Sequence, residues 1–205
     1  MKKLLYSVIL FFSFISMTEA APSTTGSTGM IDTPTADVLR EGQVSFGFYD
    51  LHEGRSASLG FNAAKNLEIS AARTDFDFSD KETYLNAKYA IQAESVFTPG
   101  IAVGVEDFAD RTERTSYAVA SKGFPLGFRV NVGIGNGRYD GMFYALEKNI
   151  TPLGIKGVFP DTALIVEHDG HDMNYGVRMS VVPGLKLNAG WRDKETYVGV
   201  TYNLY

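Results

Sequence analysis

The sequence contains no cysteine, a single tryptophan and three histidines. Without cysteine, an exported chain has no disulfide framework to compensate for a small core, and no thiol to carry a lipid anchor. Beyond residue 20 there is no long apolar run, so no helical membrane protein follows the leader. Basic residues are not in excess: with Lys2, Lys3 and Glu19 set aside, 17 basic and 23 acidic residues leave a net charge of −6. That balance argues against nucleic acid as a partner. The enzyme signatures GxSxG and HExxH are missing, and the sequence points to no catalytic residue, no cofactor and no metal.

The first twenty residues, MKKLLYSVILFFSFISMTEA, have a basic start, an apolar stretch and a small-residue end. They read as a signal peptide, residues 1–20, removed before Ala21. Residues 21–29 (APSTTGSTG) are small and polar and read as flexible. Residues 21–42 together form an N-terminal periplasmic segment that leads into the remainder, 43–205.

From residue 43 the chain is monotonous. Twelve segments alternate apolar and polar residues between turn signals: 43–50, 55–62, 66–73, 83–91, 100–106, 116–122, 128–135, 142–150, 162–168, 174–181, 185–192 and 196–204. A period of two over this length is the pattern of strands with one apolar face, and repeated short strands make an all-β sandwich or barrel. In most segments one face is consistently apolar, for example Val44/Phe46/Phe48 and Phe128/Val130/Val132/Ile134. Segments 142–150 and 162–168 alternate poorly.

The opposite face combines charge with glycine, including Gly47, Gly60, Gly104, Gly133, Gly135, Gly176, Gly190 and Gly199. Strand glycines mark close approach, as on the concave side of a barrel. Connections alternate between short or proline-bearing turns and charged loops, the asymmetry of transmembrane barrels. The fold class expected is therefore all-β, a single antiparallel transmembrane β-barrel of about 12 strands in meander order. Its termini lie on the periplasmic side and its site is the bacterial outer membrane. The last hairpin, 184–205, puts Trp191 and Tyr202 on the lipid face, with Tyr205 one residue past that register. A soluble, secreted, glycan-binding β-sandwich is the alternative fold.

The chemistry-bearing residues are few. The His168–Asp172 stretch, HDGHD, carries two imidazoles and two carboxylates but no third ligand fixed by spacing, and reads as a hydrated loop. Asp75, Asp77, Asp80, Asp107 and Asp110 read as solvated loop charge. The GIGNG stretch at 133–137 sits in a hairpin and opens no helix, so it is no phosphate loop. The set that matters is lumen-facing: Glu68, Lys88, Glu106, Arg129, Arg178 and Arg192. Buried charges need partners. These six either line a narrow polar pore or fill the lumen with ion pairs, and twelve strands lie between the filled and the open regime.

Residues 29–42, GMIDTPTADVLREG, resemble the "GLIDMPTA" segment of the YjbH-like exopolysaccharide-associated outer-membrane proteins. PGIAVGVED at 99–107, YAVASK at 117–122, residues 127–141 and VEHDG at 166–170 are similar to that family's repeating barrel strands. The resemblance implies an outer-membrane barrel, not an enzyme, that is an accessory to exopolysaccharide production or export, or a narrow polar-solute pore. Its partners would be outer-membrane lipid, the barrel-assembly machinery and polysaccharide or export components. A structural or adhesive surface barrel with a filled lumen, acting through acidic loops, is the other reading.

Overall fold

The computed structural model describes residues 21–77, 80–150 and 160–205. The expected signal peptide, residues 1–20, and most of the proline-bearing connection at 150–161 lie outside the described residues. Twelve strands run β1 (Val44–Leu51), β2 (Gly54–Ala64), β3 (Leu67–Phe76), β4 (Glu82–Gln92), β5 (Gly100–Glu106) and β6 (Thr115–Phe124). They continue as β7 (Phe128–Gly135), β8 (Gly141–Asn149), β9 (Asp161–His168), β10 (Met173–Val182), β11 (Leu185–Arg192) and β12 (Glu195–Leu204). Each pairs antiparallel with its sequence neighbours, and β1 closes on β12, with Val44 opposite Leu204 and Asp50 opposite Val198. Closure leaves no strand edge unpaired. It also excludes the two-sheet sandwich, and the expected all-β barrel is the fold observed.

The pleat sorts the side chains as the alternation requires. Phe46, Phe48, Leu59, Phe61, Val132 and Ile134 are exposed on the outer wall, as are Trp191, Val198, Val200 and Tyr202. Such an apolar exterior suits hydrocarbon, where every backbone group must be satisfied within the sheet. Tyr205 follows the end of β12 and is exposed.

The glycines face inward, and two show why. A Cβ at Gly133 would overlap the Phe143 ring, and one at Gly199 would overlap Tyr49. Large inward rings on one strand thus need bare backbone on the next.

The barrel is filled by the chain's own N-terminal segment. Residues 21–39 lie inside, with Met30, Ile31 and Leu39 between 1% and 2% exposed. Residues 40–42 are exposed and lead into β1 at the end of the barrel where β12 also finishes. Residues 21–29 are therefore not the flexible stretch expected, and residues 21–39 of the expected periplasmic segment 21–42 lie in the lumen instead. The segment holds its own compact shape: the Ser23 amide donates to the Ser27 carbonyl (2.8 Å), Thr24 to Ile31 (3.0 Å), Gly29 to Ala21 (2.8 Å) and Met30 to Thr33 (2.8 Å). These back-folded bonds satisfy amides that would otherwise be buried without partners.

The same placement explains the weak alternation of β8 and β9. Their inward positions include Phe143, Ala145 and Ile165, and Met30 and Ile31 pack with Ala145, Ile165, Tyr49 and Tyr197 in one apolar cluster. An apolar lining opposite an apolar exterior erases the period-two signal.

Candidate functional site: the inner wall and the segment it holds

Glu68, Lys88, Glu106, Arg129, Arg178 and Arg192 each bond to the inserted segment. Glu68, on β3, accepts the Thr28 amide at 2.8 Å, the Thr28 hydroxyl at 2.8 Å and the Leu39 amide at 3.0 Å. Lys88, its cross-strand partner on β4, donates to the Thr28 carbonyl at 2.7 Å and sits 3.6 Å from Glu68. Both charges are fully buried, so each depends on the other and on Thr28.

Arg178, on β10, donates to the carbonyls of Gly29 (3.3 Å) and Met30 (2.8 Å), and is steadied by Asn188 at 2.8 Å. Arg192, at the far end of β11, donates to the Asp32 carboxylate at 2.6 Å and to Glu53 at 2.5 Å. Arg129, near the start of β7, grips both oxygens of Asp37 (2.9 and 2.8 Å) and also Glu94 at 2.8 Å. Glu106 receives the Thr25 hydroxyl at 3.3 Å.

The anchor with most bonds was not singled out from the sequence. Glu167, on β9, is fully buried and accepts the amides of Ile31 (3.1 Å), Asp32 (2.7 Å) and Thr33 (3.2 Å). The Thr33 hydroxyl at 2.8 Å and the Asn174 amide at 3.0 Å complete its shell. Three consecutive N–H groups aimed at one carboxylate form an anion-binding nest, here with the roles reversed: the nest is on the inserted segment and the anion on the wall.

Arg138 was missed too, because the GIGNG stretch reads as a plain turn. In fact the turn Gly137–Tyr139 tucks into the lumen, where Arg138 donates to Glu106 at 2.5 Å and to the Asp32 carbonyl at 2.6 Å. Burial opposes its charge, but Glu106, Tyr139 and Asp32 together hold the guanidinium well above its ordinary pKa. Neutral groups complete the wall: the Tyr49 hydroxyl donates to the Pro22 carbonyl at 2.6 Å, and Ser56 and Asn86 donate to the carbonyls of Thr24 and Thr25.

The HDGHD stretch forms a tight turn between β9 and β10. Asp169 accepts the amides of His171 and Asp172 (both 2.9 Å) and the Asn174 side-chain amide at 2.9 Å. Burial pushes the Asp169 carboxyl up, yet these donors and the Arg138 charge prevail and hold it below the ordinary aspartate range. Among the described residues no group of three His, Cys, Asp or Glu is placed to hold a metal ion.

The family model for YjbH, "Exopolysaccharide biosynthesis protein YbjH", matches residues 22–151, which takes in the inserted segment and the first eight strands. The chain belongs to the YjbH family. The "Uncharacterized lipoprotein YjbH" of Escherichia coli (strain K12) is 30% identical over 125 residues, covering 54% of this chain and 18% of that protein. The chain therefore spans about a fifth of the length of this curated relative. Among solved structures, the KdgM porin is similar with a TM-score of 0.55 at 15% identity, over 80% of this chain and 99% of that one. "KdgM porin in complex with disordered oligogalacturonate" is similar over the same shares, with a TM-score of 0.54. At that identity the likeness is one of fold: a closed, porin-like barrel.

Proposed function

We propose that this YjbH-family chain is an outer-membrane barrel that serves exopolysaccharide production or export as an accessory, and that it is closed at rest by its own N-terminal segment. Residues 1–20 act as a signal peptide, and removal before Ala21 delivers the chain to the periplasm. The barrel-assembly machinery then inserts it, with the end bearing both termini on the periplasmic side and the Asp- and Glu-rich connections outside.

The observation that carries this reading is the occupied lumen. Eight charged wall residues bond to residues 21–39. An open diffusion pore has no use for a wall whose charges are committed to its own chain. A gated accessory does, because the segment can be displaced by cargo or by a partner on the periplasmic side. The reading is tested in a strain that makes the polysaccharide. Loss of this chain lowers extracellular polysaccharide, and restoration by the intact chain returns it. The protein itself fractionates with outer membranes and shifts in gel mobility between unheated and boiled samples. Unchanged polysaccharide in the strain without it refutes the assignment.

A further inference from the structure

Arginines of the inner wall hold the segment's acidic side chains and some of its carbonyls. Six cations face the lumen among the described residues: Lys88, Arg129, Arg138, Arg178, Lys186 and Arg192. Carboxylates line the same space: Glu68, Glu106, Glu147 and Glu167 on the strands, with Glu94 beside Arg129 and Glu53 and Asp193 beside Arg192. The segment adds two carboxylates of its own to these arginines: Asp32 on Arg192 and Asp37 on Arg129. With the segment withdrawn, Arg192 and Arg129 each lose a carboxylate and Arg178 loses two carbonyls, in a confined space where a replacement hydrogen bond is stronger than in open water.

The arginines are also ordered along the barrel. Arg129 stands one residue into β7 at the end carrying the termini, Arg178 lies mid-strand on β10, and Arg192 closes β11 at the far end. Arg178 is level with Asn188, so Arg192 lies four residues further along, or about 13 Å at the rise of a strand. Arg129 and Arg192 keep partial partners in Glu94, Glu53 and Asp193 when the segment leaves, whereas Arg178 keeps only Asn188.

Charge alone would admit any polyanion, but the buried carboxylates narrow the choice. Glu68 and Glu167 are stabilised by donors, namely the segment's amides and threonine hydroxyls. A ligand that replaces the segment must therefore carry both anionic groups and many hydroxyl donors. Polyphosphate supplies the first and not the second; a neutral glucan supplies the second and not the first.

We propose that the unplugged lumen is a binding path for an acidic polysaccharide. Carboxylates of the glycan take the places of Asp32 and Asp37 on Arg192 and Arg129, and its hydroxyls donate to Glu68 and Glu167. The N-terminal segment is then a tethered mimic of the cargo, and cargo and segment compete for one wall. This deepens the proposed function and rests on the segment's being the closure.

The test uses the chain in planar bilayers and in detergent, with polygalacturonate, dextran and polyphosphate as probes. The segment is released in two ways: by the paired substitutions Asp32→Asn and Asp37→Asn, and by deletion of residues 21–39. Block of the released channels by polygalacturonate at concentrations about tenfold or more below those of dextran and polyphosphate is the expected result. Arg129→Gln with Arg192→Gln in the deleted chain removes that preference. Equal block by dextran, or stronger block by polyphosphate, overturns the assignment of an acidic saccharide. Where neither released form conducts, fluorescence-detected binding of the same probes in detergent decides, and no preference for polygalacturonate overturns the proposal. Conductance of the unaltered chain equal to that of the deleted one instead refutes the closure reading, so the two failures are told apart.

Discussion

Replacing Glu167 with alanine removes the common acceptor of the Ile31, Asp32 and Thr33 amides and of the Thr33 hydroxyl. Hydrogen bonds to a charged acceptor are worth about 1.5–3 kcal/mol each, and they do not add fully when they share one group. Water reaching the shortened side chain offsets part of the loss. About 3–5 kcal/mol against the seated segment remains, which raises its released population by on the order of 10²–10⁴-fold. The absence of cysteine makes the measurement clean. Ser23 is fully buried within the segment, and Ser23→Cys is close to isosteric. The rate at which a membrane-impermeant maleimide labels that single thiol reports the released fraction directly. In the Ser23→Cys background, Glu167→Ala speeds labelling by a factor in the range given, while heat-dependent gel mobility shows the barrel still closed. Labelling less than threefold faster, with the barrel intact, refutes the argument that the Glu167 nest anchors the segment.

Other substitutions probe the wall and the loops. Lys88→Met leaves Glu68 buried without its cation and destabilises the seated segment by about 3–5 kcal/mol, seen in the same labelling assay; adding Glu68→Gln recovers part of the loss. Gly133→Ala drives a methyl into the Phe143 ring and costs about 1–3 kcal/mol, read as a lower temperature for the gel-mobility transition. The Asp169 carboxyl is held below the ordinary value of 3.8, so the stability it lends is present above that value and is lost as pH falls through its folded pKa. Amide exchange at His171 and Asp172 is therefore protected at neutral pH and at pH 5, and protection collapses only below the ordinary aspartate range. Collapse near pH 6 would contradict that sign.

The strands were legible because their information is local. Gly100–Glu106, Phe128–Gly135 and Leu185–Arg192 match the expected limits, and the remaining strands differ by one to three residues at their ends. The six inward charges were legible for the same reason, since each shares a strand face with glycine or other polar residues. The inserted segment was not legible. Its small polar residues look like a solvated tail because everything that orders them is distant in sequence: Glu167 lies 134 to 136 residues from the amides it accepts. Arg138 was hidden by a turn that reads as ordinary surface, and nothing local signals that it folds inward. The weak alternation of β8 and β9 was a usable clue. A lumen face bearing Phe143, Ala145 and Ile165 needs an apolar occupant, and Met30-Ile31 is an apolar pair within the small and polar run 23–33.

The central claim is that this barrel is closed by its own residues 21–39, and planar-bilayer conductance tests it most directly. The chain beginning at Ala21 should show no sustained conductance, and the chain lacking residues 21–39 should show discrete channels under the same conditions. Steady conductance of equal size from both chains would contradict the account.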